Sequence, residues 1–397
     1  MANIKRIEGK NGVSYQLTVS AGRDIYGKQK RHYKTYKPAA EMTQRQIDKE
    51  LNRIAVDFEK EIEQGFCADN KQTFAKYAEY VIQLKERTGS KHRTTVRYKE
   101  LIERINPAIG HIKLSELRPQ HLNNLYEQLG QDGLNKRTGG KLSSKTIVEH
   151  HRLISTILTQ AEKEMLIPFN PASKATPPKI EKHEVNYFQI DDIQRIRDCL
   201  EQAPLKWKVA THLLLLTGCR RGEIMGLTWD KIYWKKNQIK VDNNLLYSAD
   251  VGIYEDSTKT SSSNRTIKLP IETMELLKQY RSWYNEQAIA NGDRWVNSNF
   301  LFIQENGSPM HPDSLTGWLS KFSKRNSLPH INPHAFRHTM ASILYFNGVD
   351  SISISKRLGH AKVSTTTDIY SHIIKEADEQ SAECMADVIL RPQKKIN

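Results

Sequence analysis

Four stretches of the chain carry side chains that could act on a phosphate. Thr217-Gly218-Cys219-Arg220-Arg221-Gly222-Glu223 follows a leucine run, Leu213–Leu216. The run reads as a buried helix stopped by Gly218. A second helix begins near Arg220, where freed backbone donors and a guanidinium could hold an anion. Glu223 lies three residues on and could fix that guanidinium, or the two could form a plain surface ion pair. Asn332-Pro333-His334-Ala335-Phe336-Arg337-His338 opens with an N-cap residue and a proline at the first helical position. His334, Arg337 and His338 then share one face at the positive end of a helix. That face suits a phosphate. The two histidines, four apart, also admit a metal, although Ala335 stands where a zinc-protease helix carries its glutamate.

In the third stretch, Arg357-Leu358-Gly359-His360 ends a helix at Gly359, and Ser364 can cap a short helix that carries Tyr370. A lone tyrosine on a helix reads equally as packing or as a surface ring. The fourth stretch, Thr258–Thr266, places Lys259 on a hairpin tip before a strand. A lysine there could reach into a groove and donate a proton, or belong to a solvated loop.

In order and spacing, these stretches resemble the catalytic domain of the tyrosine recombinase (phage integrase) family. The motifs are T-G-x-R-x-x-E at 217–223, T-K-T-x-x-S-x-R at 258–265, H-x-x-R-H at 334–338, L-G-H at 358–360, and a tyrosine ten residues after that histidine. Cys219 stands where the family more often has an apolar residue. The resemblance implies Tyr370 as the nucleophile that forms a 3′-phosphotyrosyl link. Arg220, Arg337 and His360 would be the phosphate ligands, His334 the base and Lys259 the acid for the departing 5′-oxygen. Glu223 would orient Arg220, and His338 would brace the site. A phenol with a pKa near ~10 is a poor nucleophile at neutral pH. Arginine forks match phosphate geometry and stabilise the developing charge, so no cofactor and no metal are expected. The alternatives are a type IB topoisomerase, a DNA-binding regulator without catalysis, and a metal-dependent transposase, for which no convincing carboxylate set is present.

The elements that must position these residues follow from periodicity. Ile4–Glu8, Ser14–Ser20 and Lys30–Tyr36 alternate as strands, and Thr43–Gln64 has apolar residues at helical spacing up to Gly65. Phe74–Arg87, Thr94–Ile105, Leu122–Leu129 and Ser144–Glu164 form a four-helix pattern with no β signal. Residues 166–184 hold Pro168, Pro171, Pro177 and Pro178 and read as a linker. From Asn186 come helices, a strand pair (Gln238–Leu246 and Asn264–Leu269), then helices over Ile271–Ala290, Pro312–Ser323, Pro333–Phe346, Ser351–Leu358, Thr365–Tyr370 and Glu376–Leu390. The expected fold is multidomain: a small three-stranded sheet plus helix (1–65), an all-α domain (72–170) and a mainly α-helical domain with a small β-sheet (186–397). The layout resembles the longer integrases of conjugative transposons. Their pattern implies an arm-type DNA-binding domain, a SAM-like core-binding domain and the catalytic domain, in that order.

Lys and Arg total 60 against 45 for Asp and Glu, a net charge of +15, which favours polyanionic partners. The surplus concentrates in two places. Lys28, Lys30, Arg31 and Lys34 lie among the tyrosines of the first strands and suit a sheet in a DNA groove. Lys85, Arg87, Lys91, Arg93 and Arg97 join the first two helices of the middle domain and suit phosphates. No apolar run approaches the ~20 residues that span a bilayer, and the four cysteines are far apart. These features predict a cytoplasmic chain, in the bacterial cytosol at the nucleoid, with free thiols and no membrane partner. The family resemblance implies double-stranded DNA bound at core and arm sites, and a homotetramer on two DNA sites. It leaves room for an excisionase or DNA-bending protein. The segment Ile373–Leu390 could form a helix that docks on a neighbouring subunit or on its own domain.

Overall fold

The computed structural model describes residues 2–9, 12–23, 27, 29–39, 41–63, 72–135, 138–181, 187–257 and 264–360. The chain divides into two compact units, Met1–Lys182 and His183–Asn397.

The first unit holds two separate apolar clusters. In one, strands β1 (Asn3–Gly9), β2 (Gly12–Arg23) and β3 (Gln29–Tyr36) form an antiparallel sheet in the order β1-β2-β3. Side chains alternate across a strand, so Tyr15, Leu17 and Val19 share one face. They are buried with Ile47, Leu51, Phe58 and Ile62 of helix α1 (Gln44–Glu63). The register places Lys5, Gln16, Thr18, Arg31, Tyr33 and Thr35 on the opposite face.

The other cluster belongs to α2 (Phe74–Arg87), α3 (His92–Ile109), α4 (Pro119–Leu129) and α5 (Ser144–Lys163). Phe74, Tyr77, Leu101, Ile105, Leu122, Ile154 and Leu158 meet in its core. Burying such side chains contributes roughly 1.5–3 kcal/mol each. Part of the proline-rich stretch expected as a linker is packed here. Asn170 is buried and donates to the Ser155 carbonyl at 3.1 Å and to Thr159 Oγ1 at 2.9 Å. Its Oδ1 accepts the Ala172 N–H at 2.9 Å, at the start of a 3-10 turn over Pro171–Lys174. A buried amide satisfied on both ends fixes the chain there, so the extended part comes only later.

In the second unit, α6 (Ile190–Leu200), α7 (Leu205–Thr217) and α8 (Arg221–Met225) precede β4 (Ile232–Tyr233), β5 (Gln238–Val241), β6 (Asn243–Ser248), β7 (Gly252–Ser257) and β8 (Arg265–Lys268). Helices α9 (Ile271–Asn291), α10 (Asp313–Arg325), α11 (Pro333–Phe346) and α12 (Ser351–Leu358) follow. The single strand expected over Gln238–Leu246 is two strands in different sheets. β5 pairs with β4 and β8, whereas β6 pairs with β7. The break falls at Asp242, whose carboxylate takes Lys231 at 3.1 Å and Lys240 at 2.8 Å. Next to it, Asn243 Oδ1 accepts the Asn244 N–H at 2.8 Å, a local bond that competes with the ladder.

Helix α7 carries the leucine run through the core, against α9 and α11. Thr365–Tyr370 and Ile373–Leu390 lie outside the described residues. Among the described residues no helix is long and apolar enough to cross a membrane.

Candidate functional site

The site begins where α7 stops. Gly218 takes a left-handed conformation (φ +61°) as the C-cap. A Cβ there would also run into Met340 of α11 and Leu358 of α12. The left-handed turn and the absent Cβ let the end of α7 pack against the middle of α11 and the end of α12. Two residues on, Arg220 is the N-cap of α8. Its backbone N–H donates to Glu223 Oε2 at 3.0 Å and its Nη1 to Glu223 Oε1 at 2.7 Å. The carboxylate therefore occupies the helix start itself, and it fixes both ends of Arg220.

Glu223 is only 3% exposed, whereas the Arg220 side chain is 41% exposed. A second cation supplies the buried counter-charge. Arg265, at the start of β8, donates from Nη2 to Glu223 Oε2 at 2.8 Å and to Cys219 Sγ at 3.1 Å. Its Nε donates to the Arg357 carbonyl at 2.7 Å. Burial alone would push Glu223 up. The Arg265 guanidinium first, and Arg220 after it, outweigh burial and hold the carboxyl below its ordinary range. Burial likewise pushes the Cys219 thiol up.

Helix α11 starts as its sequence predicts: Asn332 Oδ1 accepts the Ala335 N–H at 2.9 Å, with Pro333 at the first position. The i, i+3, i+4 spacing brings His334, Arg337 and His338 to its first turns, with the two imidazole centroids 6.3 Å apart. Arg337 is 3% exposed. Its Nη1 donates to the Gly218 carbonyl at 2.6 Å and its Nη2 to the Leu358 carbonyl at 2.8 Å. One guanidinium thus ties the end of α7 to the end of α12. Burial, then Arg220, lower its pKa to about 10, so it stays charged at neutral pH.

Helix α12 is capped by Asp350, whose Oδ1 accepts the Ile352 and Ser353 N–H groups at 3.0 and 2.9 Å. It ends at Gly359 (φ +68°), and the His360 N–H reaches back to the Ser355 carbonyl at 3.1 Å. Burial, followed by Arg337, Arg220, Arg265 and His338, lowers His360 to about 4. His334 is lowered too, by partial desolvation and then by Arg337 and Arg220. Both imidazoles are therefore neutral at pH 7, beside several permanent cations. Such a corner can receive an anion and can accept a proton.

Of the sequence-predicted residues, Arg220, Glu223, His334, Arg337, His338 and His360 come together on the ends of α7, α8, α11 and α12. Lys259 and Tyr370 lie outside the described residues. Arg265 was legible as the last letter of its motif but was not counted among the site residues, because its acceptors lie on α8, on α12 and on the connection from α7 to α8. Arg357 was missed likewise; its Nη2 donates to the Leu216 carbonyl at 2.9 Å.

The basic residues of the first unit divide. Lys28 lies outside the described residues, as does the side chain of Lys30. Arg31 is exposed on the sheet face away from α1. Lys34 is on the other face, with its ammonium 5.3 Å from the centre of the Phe58 ring. Arg87 and Arg93 are exposed, and Lys85 and Lys91 are half-buried beside them. Arg97 is held by Glu100 at 2.9 Å and Glu149 at 2.8 Å.

Comparison with known proteins follows the same division. The phage integrase family matches residues 186–377, and the phage integrase SAM-like domain matches residues 73–177. The chain is 27% identical to a XerC-like tyrosine recombinase of Caldanaerobacter subterraneus subsp. tengcongensis, over 96% of this chain and 98% of the relative. It is 25% identical to the ICEBs1 integrase of Bacillus subtilis, over 62% of this chain and 67% of that one. Among solved structures, the Tn1549 transposon integrase in complex with transposon right end DNA is similar in fold. It has a TM-score of 0.65 at 22% identity, covering 79% of this chain and 100% of that one.

Proposed function

Because the chain belongs to the phage integrase family of tyrosine recombinases, enzymes that break and rejoin DNA strands, we propose that it is the site-specific integrase of a mobile element and uses Tyr370 as its nucleophile. The observation that carries the reading is the cluster of Arg337, His334 and His360 about Arg220, which a buried carboxylate holds.

The chemistry follows from the residue types. The Tyr370 oxygen attacks the scissile phosphorus and its proton passes to a base, the role we assign to neutral His334. As the phosphorane forms, Arg220 and Arg337 stabilise its non-bridging oxygens and His360 donates to one of them. The bond to the 5′-oxygen breaks, and Lys259 supplies the proton that this oxygen takes. A 3′-phosphotyrosyl link keeps the bond energy, so attack by a second 5′-hydroxyl rejoins the strand without ATP. Glu223 holds Arg220 throughout, and His338 braces the helix face.

The rest of the chain serves DNA. Residues 1–65 act as an arm-binding domain, with the polar face of the β1–β3 sheet turned to a groove. Residues 72–170 clamp the core site through Lys85, Arg87, Lys91 and Arg93. Residues 186–397 cut it. The enzyme works as a homotetramer on two core sites in the cytosol, with no cofactor.

The test is strand cleavage on a labelled, nicked core duplex. Wild type should trap a covalent protein–DNA adduct, while Tyr370→Phe should bind the duplex equally well and form none. Adduct formation by that variant at the wild-type rate would remove Tyr370 from the mechanism.

A further inference from the structure

One buried side chain in the second unit reaches three parts of the site at once. Arg265 is the first residue of β8, paired with Val241 of β5, and follows the segment that carries Lys259. Its side chain is 6% exposed. At one end, Nη2 holds the Glu223 carboxylate, at 2.8 Å, that fixes Arg220. On the other side, Nε holds the Arg357 carbonyl at 2.7 Å, three residues before His360. Between them the guanidinium packs against Gly359, where a Cβ would come within 2.9 Å of Nη1 and 3.3 Å of Cζ. The residue immediately before His360 is thus bare, and Arg265 fills the space.

Charge and geometry both ask for an arginine here. Glu223 is almost fully enclosed, and a buried carboxylate with a single half-exposed partner is poorly compensated. The arginine fork reaches the carboxylate and the carbonyl together; an ammonium has one centre and cannot do both.

We propose that Arg265 is a positioning residue of this site: it fixes the Glu223 carboxylate that orients Arg220 and, in the same guanidinium, the chain that presents His360. The inference rests on the recombinase reading above. Arg265 does not touch the reacting atoms in this scheme. It sets the two phosphate ligands relative to each other and ties both to the strand that follows Lys259.

The test compares Arg265→Gln, Arg265→Lys and the pair Arg265→Gln with Glu223→Gln, in the full chain on a nicked core duplex. Single-turnover cleavage is measured from pH 5 to 9 beside a thermal melt. Removing the cation leaves Glu223 to protonate at higher pH. In Arg265→Gln the protonation of Glu223 should therefore add to that of the base His334, so that the acid limb steepens and moves up, with a cleavage loss of about a hundredfold at pH 7. Arg265→Lys keeps the charge and loses the fork. Its acid limb should stay in place while the rate drops by about tenfold, a partial rescue. If Arg265 acts through Glu223, adding Glu223→Gln to Arg265→Gln should cost little more. An unmoved acid limb in Arg265→Gln overturns the proposal. So does an equal loss in the Gln and Lys variants that tracks their melting temperatures, or full additivity with Glu223→Gln. Arg220→Ala runs alongside: if it cleaves at the wild-type rate, the recombinase assignment of the site fails instead.

Discussion

Two basic junctions in this molecule use the same residue types to opposite ends. At the turn from α2 to α3, Arg87 and Arg93 are exposed, and Arg97 and Lys99 pair with carboxylates that are themselves half open to water. At the ends of α7, α8, α11 and α12, Arg265 and Arg337 are almost fully enclosed and share the neighbourhood of one buried carboxylate. Exposed charges are screened by salt and cost little to hold, so the first junction can add affinity for a polyanion and little else. The second has paid its desolvation in folding. Its donors are fixed before any substrate arrives, which is what stabilising a transition state requires. Composition counts both junctions alike; burial separates them.

The sharpest way to break this comparison is to remove Arg337. Arg337→Ala would leave the Gly218 and Leu358 carbonyls without their donor inside the fold. We expect a loss of about 3 kcal/mol in the unfolding free energy and a fall in single-turnover cleavage of ~10²–10³-fold or more. Urea denaturation and adduct formation check the two. A variant that kept its denaturation midpoint would show that the enclosed arginine is no more structural than the exposed ones.

A smaller effect separates the junctions by pH. His360 is held near 4 by burial and by Arg337, Arg220, Arg265 and His338, so it is neutral in the free protein at pH 7. A phosphate against its ring would favour the imidazolium and raise that value. The sign then follows from linkage: a group with a higher pKa in the complex takes up a proton on binding, so binding tightens as pH falls. From pH 8 to pH 5 the affinity for a core duplex should rise, by no more than about tenfold per pH unit for one proton. His360→Asn should flatten the curve. A guanidinium keeps its charge in proteins, so the exposed junction should give no such slope. Fluorescence anisotropy at constant ionic strength distinguishes the two, and matching slopes in wild type and His360→Asn would place His360 away from the phosphate.

How far the sequence could be read depends on how local the signal was. Helices α11 and α12 were legible to the residue because start or stop signals sit beside them: Asn332 and Pro333 for α11, Gly359 for α12. Spacing within single helices also brought His334, Arg337 and His338 to one face. The β6–β7 hairpin is missed when Gln238–Leu246 is read as one strand: alternation holds only from Gln238 to Asp242, and the polar run Asp242-Asn243-Asn244 before Leu245-Leu246 marks the break. The part of Arg265 in the site was hidden. Its acceptors stand 42 and 92 residues away, at Glu223 and Arg357, and no local pattern encodes bonds between elements so distant in the chain. Arg97 shows the converse. Its place in a basic run suggested a phosphate contact, while its carboxylate at Glu149, 52 residues on, was invisible to the run.

Arg97 therefore offers the finest division, inside the exposed junction itself. Burial works against its charge, but the hydrogen bonds it donates to Glu149 and then to Glu100 outweigh this and hold its pKa above the ordinary value. Its charge is already answered within the helical unit, whereas Arg87 and Arg93 face solvent. In the salt dependence of core-duplex binding, Arg87→Ala and Arg93→Ala should each lower the slope of log K against log salt by about 1, as expected for a lost phosphate contact. Arg97→Ala should lower it by much less than that. Its effect on stability should also be slight, under about 1 kcal/mol, because the pair is 41% and 37% exposed and water replaces much of what is lost. Titrations at a series of salt concentrations measure all three variants. An Arg97 slope change equal to that of Arg87 would mean that Glu149 gives up its partner when DNA arrives, and that neighbouring cations in this junction are interchangeable after all.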